Sequence, residues 1–312
     1  MENNFTKIQA LLEQKAELKA RLNLIPYDGA VEIKEVSGKK YIYIRKREIG
    51  KKKSDYVGVY SDELYSVLLK SVKDAKELKK SIRAIEKELA KCGYTAEELP
   101  ANVVINIDFA RCNIKSIIYD QAVLEGVGTT FPDTEIILDN GKVNNVSAED
   151  VQKILNLKHA WEFILDKDII LSPTNYYMCQ YIAKLVNEGF YFDGGRIRAV
   201  PVSIGGSSYV PPLPQESDVK RDIEEIEKGK DATGVAIELV LYIMKTQVFN
   251  DGNKRTAIIF ANHYLISHGA GLIVVPENLT GEFKKLLVDY YEGIDEEKIR
   301  TFLREKCLRK VN

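Results

Sequence analysis

Residues 234–269 constrain the fold more than any other stretch. GVAIELVLYIMKTQ, residues 234 to 247, is apolar nearly all round at helical length, and a second apolar helical segment follows and is stopped by Gly269. Only a short loop, Phe249-Asn250-Asp251-Gly252, separates them. A helix without a polar face has to be enclosed by other elements. Two of them in tandem therefore call for a helical bundle with a substantial core. At 312 residues with 45% hydrophobic side chains the chain can supply one, as a single large domain or two medium ones. With 9 Pro and 20 Gly, collagen, disorder and a disulfide-stapled miniprotein are excluded.

The expected fold class is mainly α. Ser147 and Asp150 resemble a capping box that opens a helix through Ile154, Leu157, Trp161 and Ile164. Ser172-Pro173 supplies a cap and a first-turn proline before a helix running to Gly189. RIRAVPVSIGGSSYVPP, residues 196 to 212, alternates about Gly205-Gly206 and predicts a small β-hairpin, and Ser217 begins a helix through Ile223 and Ile226.

The first hundred residues read differently. Ile8, Leu11, Leu18 and Leu22 form one helical stripe, and Leu64, Leu68, Ala75, Leu78, Ile82, Ile85 and Leu89 form another. Together they predict an antiparallel, coiled-coil-like helix pair. Between them, Val31, Ile33 and Val36, then KYIYI at 40–44, then Tyr56 to Tyr60 predict a small antiparallel β-meander with turns at Ser37-Gly38 and Gly50. Leu99-Pro100, after the Cys92-Gly93 stop, separates an N-terminal region, 1–99, from a second domain, 100–312.

The meander carries Arg45, Lys46, Arg47, Lys51, Lys52 and Lys53. A basic hairpin flanked by aromatics can engage phosphate backbones, yet lysines also guard solvated strand edges against aggregation. The formal net charge of -1 gives no global field toward nucleic acid or anionic lipid, so the edge-guarding reading is preferred and nucleic acid is not the expected partner. The four cysteines are too far apart for ligand spacing and read as reduced thiols, and the three histidines have no metal-binding spacing. No run approaches 18 apolar residues and the N-terminus lacks a secretory-type apolar core, so a cytoplasmic protein with no membrane partner is expected.

The loop joining the two apolar helices offers what a polyphosphate needs. Gly252 permits close backbone approach, the amides of the helix start point outward, and the helix dipole there favours negative charge. Lys254 and Arg255 add cations in the first turn, where they are unfavourable without an anion. Asp251 is placed to hold a divalent cation, most plainly Mg bridging phosphate oxygens. An ordinary helix-loop-helix with Asp251 or Asn253 as N-cap accounts for the same spacing, and from spacing alone both readings stand.

At these residues the sequence resembles the Fic (Fido) family, whose signature is HxFx(D/E)GNxRxxR. QVFNDGNKR, residues 247 to 255, matches at Phe249, Asp251, Gly252, Asn253 and Arg255. The segment 196–212 is similar to the family's arginine-containing segment and flap hairpin, and Leu124-Glu125-Gly126, in a helix near 114–126, is similar to the inhibitory motif (S/T)xxxE(G/N). The resemblance implies a helical core with the signature between two central helices, and transfer of AMP from ATP to a protein hydroxyl. It implies Asp251 as the Mg ligand; Gly252, Asn253, Lys254 and Arg255 at the nucleotide phosphates; and Ile204, Gly205 and Gly206 as the flap along which a protein target docks by strand addition. Phe249 becomes a core anchor, and Glu125 and Gly126 become regulatory, against the reading of Glu125 as an ordinary surface or capping residue.

Three departures from the family pattern shape the expected activity. Gln247 replaces the histidine that removes the proton from the hydroxyl, and a carboxamide cannot do so near neutral pH. Ile258 replaces the second signature arginine, which leaves Glu125 without its usual partner. Lys254, within NKRTA, is similar to the Doc subgroup, whose members phosphorylate a translation factor, so phosphate transfer stays open beside AMP transfer. Gln121 also stands where the inhibitory motif has Ser or Thr. The expected function is a weakened protein adenylyltransferase or phosphoryl transferase using ATP or another nucleotide with Mg. The alternative is a catalytically inactive nucleotide- and partner-binding module; a homodimer is left open.

Overall fold

The computed structural model describes residues 2–25, 29–48, 51–94 and 98–311, with side chains throughout except at 2–6, 46–48 and 51–53. The expected turn at Gly50 and the side chains of Lys46, Arg47 and Lys51 to Lys53 lie outside the described residues. The chain divides into two compact units, Met1–Ala96 and Glu97–Asn312.

The first unit runs α1 (Glu2–Asn23), β1 (Ala30–Val36), β2 (Lys39–Glu48), β3 (Lys51–Val59) and α2 (Asp62–Lys91). The strands form an antiparallel sheet in sequence order. Ser37 and Gly38 both adopt positive φ, 52° and 75°, the two-residue turn whose twist matches a hairpin. In β2, Ile42 and Ile44 are buried while Tyr41 and Tyr43 alternate onto the other face. Ser61 caps α2 by accepting a hydrogen bond from the Leu64 amide, and Asp62 and Glu63 complement the dipole behind it. The buried positions of α2, Leu68, Ala75, Ile82 and Leu89, recur every seven residues, a coiled-coil seam against which α1 packs. On α1 the seam differs from the sequence expectation. Leu12, Ala16 and Ala20 are buried at four-residue steps, whereas Ile8, Leu11, Leu18 and Leu22 flank them half-buried. Small alanines let the helix backbone approach its partner, a preference that counting large apolar residues overlooks.

The second unit contains α3 (Ala101–Cys112), α4 (Ile114–Leu124), α5 (Phe131–Leu138), α6 (Ala148–Ile164), α7 (Tyr176–Val186), α8 (Glu216–Glu227), α9 (Ala232–Thr246), α10 (Asn253–Ser267), α11 (Thr280–Tyr291) and α12 (Glu296–Phe302). A small ladder joins β4 (Leu272–Ile273) to β5 (Leu308–Arg309). The fold is thus mainly helical with small antiparallel sheets. α9 and α10 lie at its centre, and nearly every residue of α10 is buried against α9, α7, α6 and α3. Ser147 caps α6 through the Asp150 amide, as its sequence pattern requires. α7 starts later than Ser172-Pro173 suggests: Asn175 is the cap, accepting from the Met178 amide, because an Asx side chain reaches the first turn directly.

Residues 196–212 differ most from expectation. A turn forms at Gly205-Gly206, closed by the Ser207 amide donating to the Ile204 carbonyl at 3.2 Å, but the arms build no ladder with each other. Ile197 instead bridges to Phe249. The reason is Arg198, 1% exposed, whose guanidinium gathers the backbone carbonyls of both arms. Burial pulls its pKa down. Among the described residues no helix is long and apolar enough to cross a membrane.

His263 of α10 is fully buried. The Ile169 carbonyl at 3.1 Å can only accept, so Nε2 carries the proton and the Thr174 hydroxyl donates to Nδ1 at 2.9 Å. Burial pushes its pKa down to about 4. The unfolded chain takes up this proton near pH 6.5 and the folded chain does not, so the residue's contribution to stability is full above pH 6.5 and is lost as pH falls toward 4, on the order of 3 kcal/mol. Glu227, pushed up to about 7 by burial, titrates over the same range with the opposite sign. NMR titration of the imidazole should find His263 neutral until about pH 4; an ordinary value would overturn the assignment.

Candidate functional site

The loop between α9 and α10 is held by its own side chains. Gln247 ends α9 in the left-handed conformation, φ 50° and ψ 60°. Its amide nitrogen donates to the Met244 carbonyl at 2.6 Å, and its Oε1 accepts from Asn253 Nδ2 at 3.2 Å. Asn253 also donates to the Phe249 carbonyl at 2.7 Å and accepts from the Phe249 amide at 2.9 Å. Asn253 thus braces the loop from within, and Phe249 is fully buried beneath it. Gly252, not Asp251 or Asn253, is the N-cap of α10. It has φ 71°, and a Cβ there would lie 2.8 Å from Asn187 Oδ1, so conformation and space both demand glycine. No side chain caps α10, which leaves its first amides facing outward.

Arg255 lies beneath this turn, 2% exposed. It donates to the Val186 carbonyl at 2.8 Å and to Asp251 Oδ2 at 3.1 Å. Its Nε is 3.6 Å from Glu125 Oε2, and neither this Nε nor Glu125 Oε1 has a hydrogen-bond partner. Glu125 thus lies beside Arg255, an arginine other than the one whose place Ile258 takes. Ile258 faces an apolar gap beside Ile117, Leu124 and Val274. The register of α4 is fixed by Gln121, which accepts from Trp161 Nε1 at 2.9 Å and donates to the Arg255 carbonyl at 3.0 Å. Glu125 is the C-cap of α4, and Gly126 follows with φ 84°.

These parts open onto one cleft of about 380 Å³. Gln247, Asn250, Asp251, Gly252, Asn253 and Lys254 line one side, Glu125 another, and Ser203, Ile204 and Gly205 a third. Gly206 does not line it; the turn there packs toward Val288. Lys284, Leu287, Val288 and Tyr291 of α11 complete the wall. Sequence motifs gave no hint of these four, which lie outside the signature; only a lysine on the face of α11 turned toward Leu287 could have signalled a cation there. The flap is tied to the same helix: Glu292 accepts from the Ser208 amide at 2.8 Å and from both Ser207 and Ser208 hydroxyls, bonds that hold its carboxyl below the usual range.

Arg198 fastens the flap to the loop between α9 and α10. Its Nε donates to the Gln247 carbonyl, Nη1 to Val200, and Nη2 to Pro211, Pro212 and Thr246. It thereby caps the C-terminus of α9, where a cation is favoured. Tyr291 in the cleft is pushed up by burial and by the neighbouring Tyr290 and Glu125, so it stays protonated. His263 is enclosed by Thr174 and Ile169 and does not line the cleft.

A divalent cation fits one feature here. Asp251 is about half exposed at the cleft with one oxygen engaged by Arg255. The described residues contain no cluster of three metal-ligating side chains. Such a donor set suits Mg²⁺, which keeps several waters and takes one or two carboxylates plus phosphate oxygens, rather than an all-protein cage.

Residues 173–265 match the model of the Fic/DOC family, and residues 6–66 match a domain of unknown function, DUF6788. A segment of Fic-1 from C. elegans has a similar structure, with a TM-score of 0.52 and 18% identity over 78% of this chain and 74% of that one. A Fic domain containing signalling protein from Bacteroides thetaiotaomicron has a TM-score of 0.49 and 16% identity over 62% of this chain and 76% of that one. At such identity the first of these likenesses speaks for the fold alone. No curated protein matches the chain.

Proposed function

The chain is a Fic/Fido family protein with its Fic/DOC domain at residues 173–265, and from that premise we propose that the cleft binds a nucleoside triphosphate with Mg²⁺ and supports slow transfer of AMP, or of phosphate, to a protein hydroxyl. The observation that carries the reading is the convergence of the Gln247–Lys254 loop, the flap and Glu125 on one cleft. The uncapped amides after Gly252 and the ammonium groups of Lys254 and Lys284 receive the phosphates. Asp251 holds the metal ion, which when bound neutralises charge on phosphate oxygens. Asn253 and Arg255 act from behind, keeping the turn in shape and Asp251 oriented. The flap at Ile204, Gly205 and Gly206 presents backbone to an extended target segment, and Arg198 and Glu292 hold that flap in place. Gln247 shapes the loop but cannot accept the hydroxyl proton, which is why transfer is slow.

Glu125 places a carboxylate where phosphate oxygens would gather, and like charges so juxtaposed are costly. Glu125→Gln should therefore bind MgATP more tightly by roughly tenfold, about 1.4 kcal/mol, in calorimetric titration. Arg255 keeps Asp251 as its partner in that variant. Flat titrations of both proteins with ATP and GTP would overturn the nucleotide reading, and equal affinities would overturn the role of Glu125.

A further inference from the structure

The near-neutral total charge conceals two oppositely charged units. Residues 1–96 contain 21 Lys and Arg against 14 Asp and Glu, leaving 24 against 32 for residues 97–312, so the first is net +7 and the second net -8. Asymmetry of this size is what a polyanion-binding module attached to an acidic domain looks like.

The sheet of the basic unit has one face turned inward through Ile42 and Ile44. On the other face Tyr43 pairs across the strands with Tyr56. The rings of Tyr41, Tyr43 and Tyr56 form one cluster, with centroids 6.2 Å apart for Tyr41 and Tyr56 and 5.6 Å apart for Tyr43 and Tyr56. Tyr56 is 57% exposed. The Lys34 ammonium stands 4.5 Å from the centre of the Tyr43 ring, and Arg45, the next position of β2 on this face, is exposed. Opposite Arg45 in the ladder is Ser54, whose hydroxyl donates to Glu32 Oε2 at 3.3 Å; the same carboxylate lies 3.8 Å from the Lys34 ammonium and pairs with it, which among the described residues leaves Arg45 as the cation on this face. Edge protection by lysine needs no aromatic cluster: a guarded edge places its charges along the outer strands, whereas here Tyr41, Tyr43 and Arg45 lie on the central strand, β2, and share a face with Tyr56 of β3.

We infer that this tyrosine face binds single-stranded nucleic acid, with bases stacking on the tyrosine cluster through its exposed ring, Tyr56, and phosphates meeting Arg45. Exposed rings on a sheet accept any base through its π-face, and adjacent cations follow the backbone. A duplex keeps its bases stacked on one another and so cannot use the rings. The inference is independent of the cleft and of any nucleotide bound there.

The test is fluorescence anisotropy of the full chain with labelled oligouridylate and oligothymidylate of about 20 nucleotides, from roughly 25 to 200 mM salt. Saturable binding to either sugar type is expected, weakening with salt. Tyr56→Ala should reduce affinity about 5- to 100-fold with the salt slope unchanged, while Tyr56→Phe retains it; Arg45→Gln should lower the slope by about 0.7. Circular dichroism shows that each variant is folded. No binding at the lowest salt, an unaltered affinity in Tyr56→Ala, equal binding of duplex, or the same Tyr56 dependence on phosphatidylserine vesicles would each overturn the inference.

Discussion

Gln247→His is expected to raise labelling of protein hydroxyls by about 10²- to 10⁴-fold when the chain is incubated with ATP and cell lysate, the usual worth of a general base. Position 247 suits the exchange. Its left-handed φ of 50° is one that histidine tolerates better than most side chains. In the native chain both ends of the carboxamide are spent, the nitrogen on Met244 and the oxygen on Asn253. A neutral imidazole can replace the first bond with one protonated ring nitrogen and leave the other free to accept a proton from the incoming hydroxyl. ATP labelled at the alpha or the gamma phosphate separates AMP transfer from phosphate transfer. Should the variant remain inert while still binding MgATP, the missing base is not the sole deficit, and the cleft serves as a nucleotide-responsive binding module instead.

Arg198→Met is expected to destabilise the second unit by about 4 kcal/mol, the scale seen when one partner of a buried charged network is removed. The methionine roughly fills the space but leaves the carbonyls of Gln247, Val200, Pro211, Pro212 and Thr246 without their donor. For a unit of this size the corresponding fall in melting temperature is roughly 10 °C. Differential scanning calorimetry should show the transition of the second unit moving. A fall of only a degree or two would mean that water replaces the guanidinium without loss, and that the flap is not held through Arg198.

What could be read from the chain beforehand follows the range of the interactions involved. Local patterns were legible: the seven-residue repeat of Leu68, Ala75, Ile82 and Leu89, the Ser147–Asp150 cap, and the apolar circumference of α9 and α10. Positions decided by long-range polar contacts were not. The arms of the flap alternate like strands, yet Arg198 takes the carbonyls that a ladder would have used. Glu125 finds Arg255, 130 positions away, because Gln121 and Trp161 fix the register of α4 on α10. α11 contributes Lys284 and Tyr291 to the cleft with no motif to announce it. On α1, alanines rather than leucines mark the seam, since close approach rather than bulk decides which residues disappear. In the loop, Asn253 turned out to be a brace whose hydrogen bonds are internal, which residue type and spacing alone do not distinguish from a side chain that reaches a ligand.

The unclosed contact between Glu125 and Arg255 bears on how the cleft would respond to a visitor. Prying apart a fully mated buried ion pair would demand several kcal/mol. At 3.6 Å, with an unmatched donor on one ion and an unmatched acceptor on the other, this pair is held by charge attraction without a hydrogen bond between its partners. An anion entering the cleft would therefore meet a carboxylate that can turn aside without breaking a hydrogen bond to Arg255.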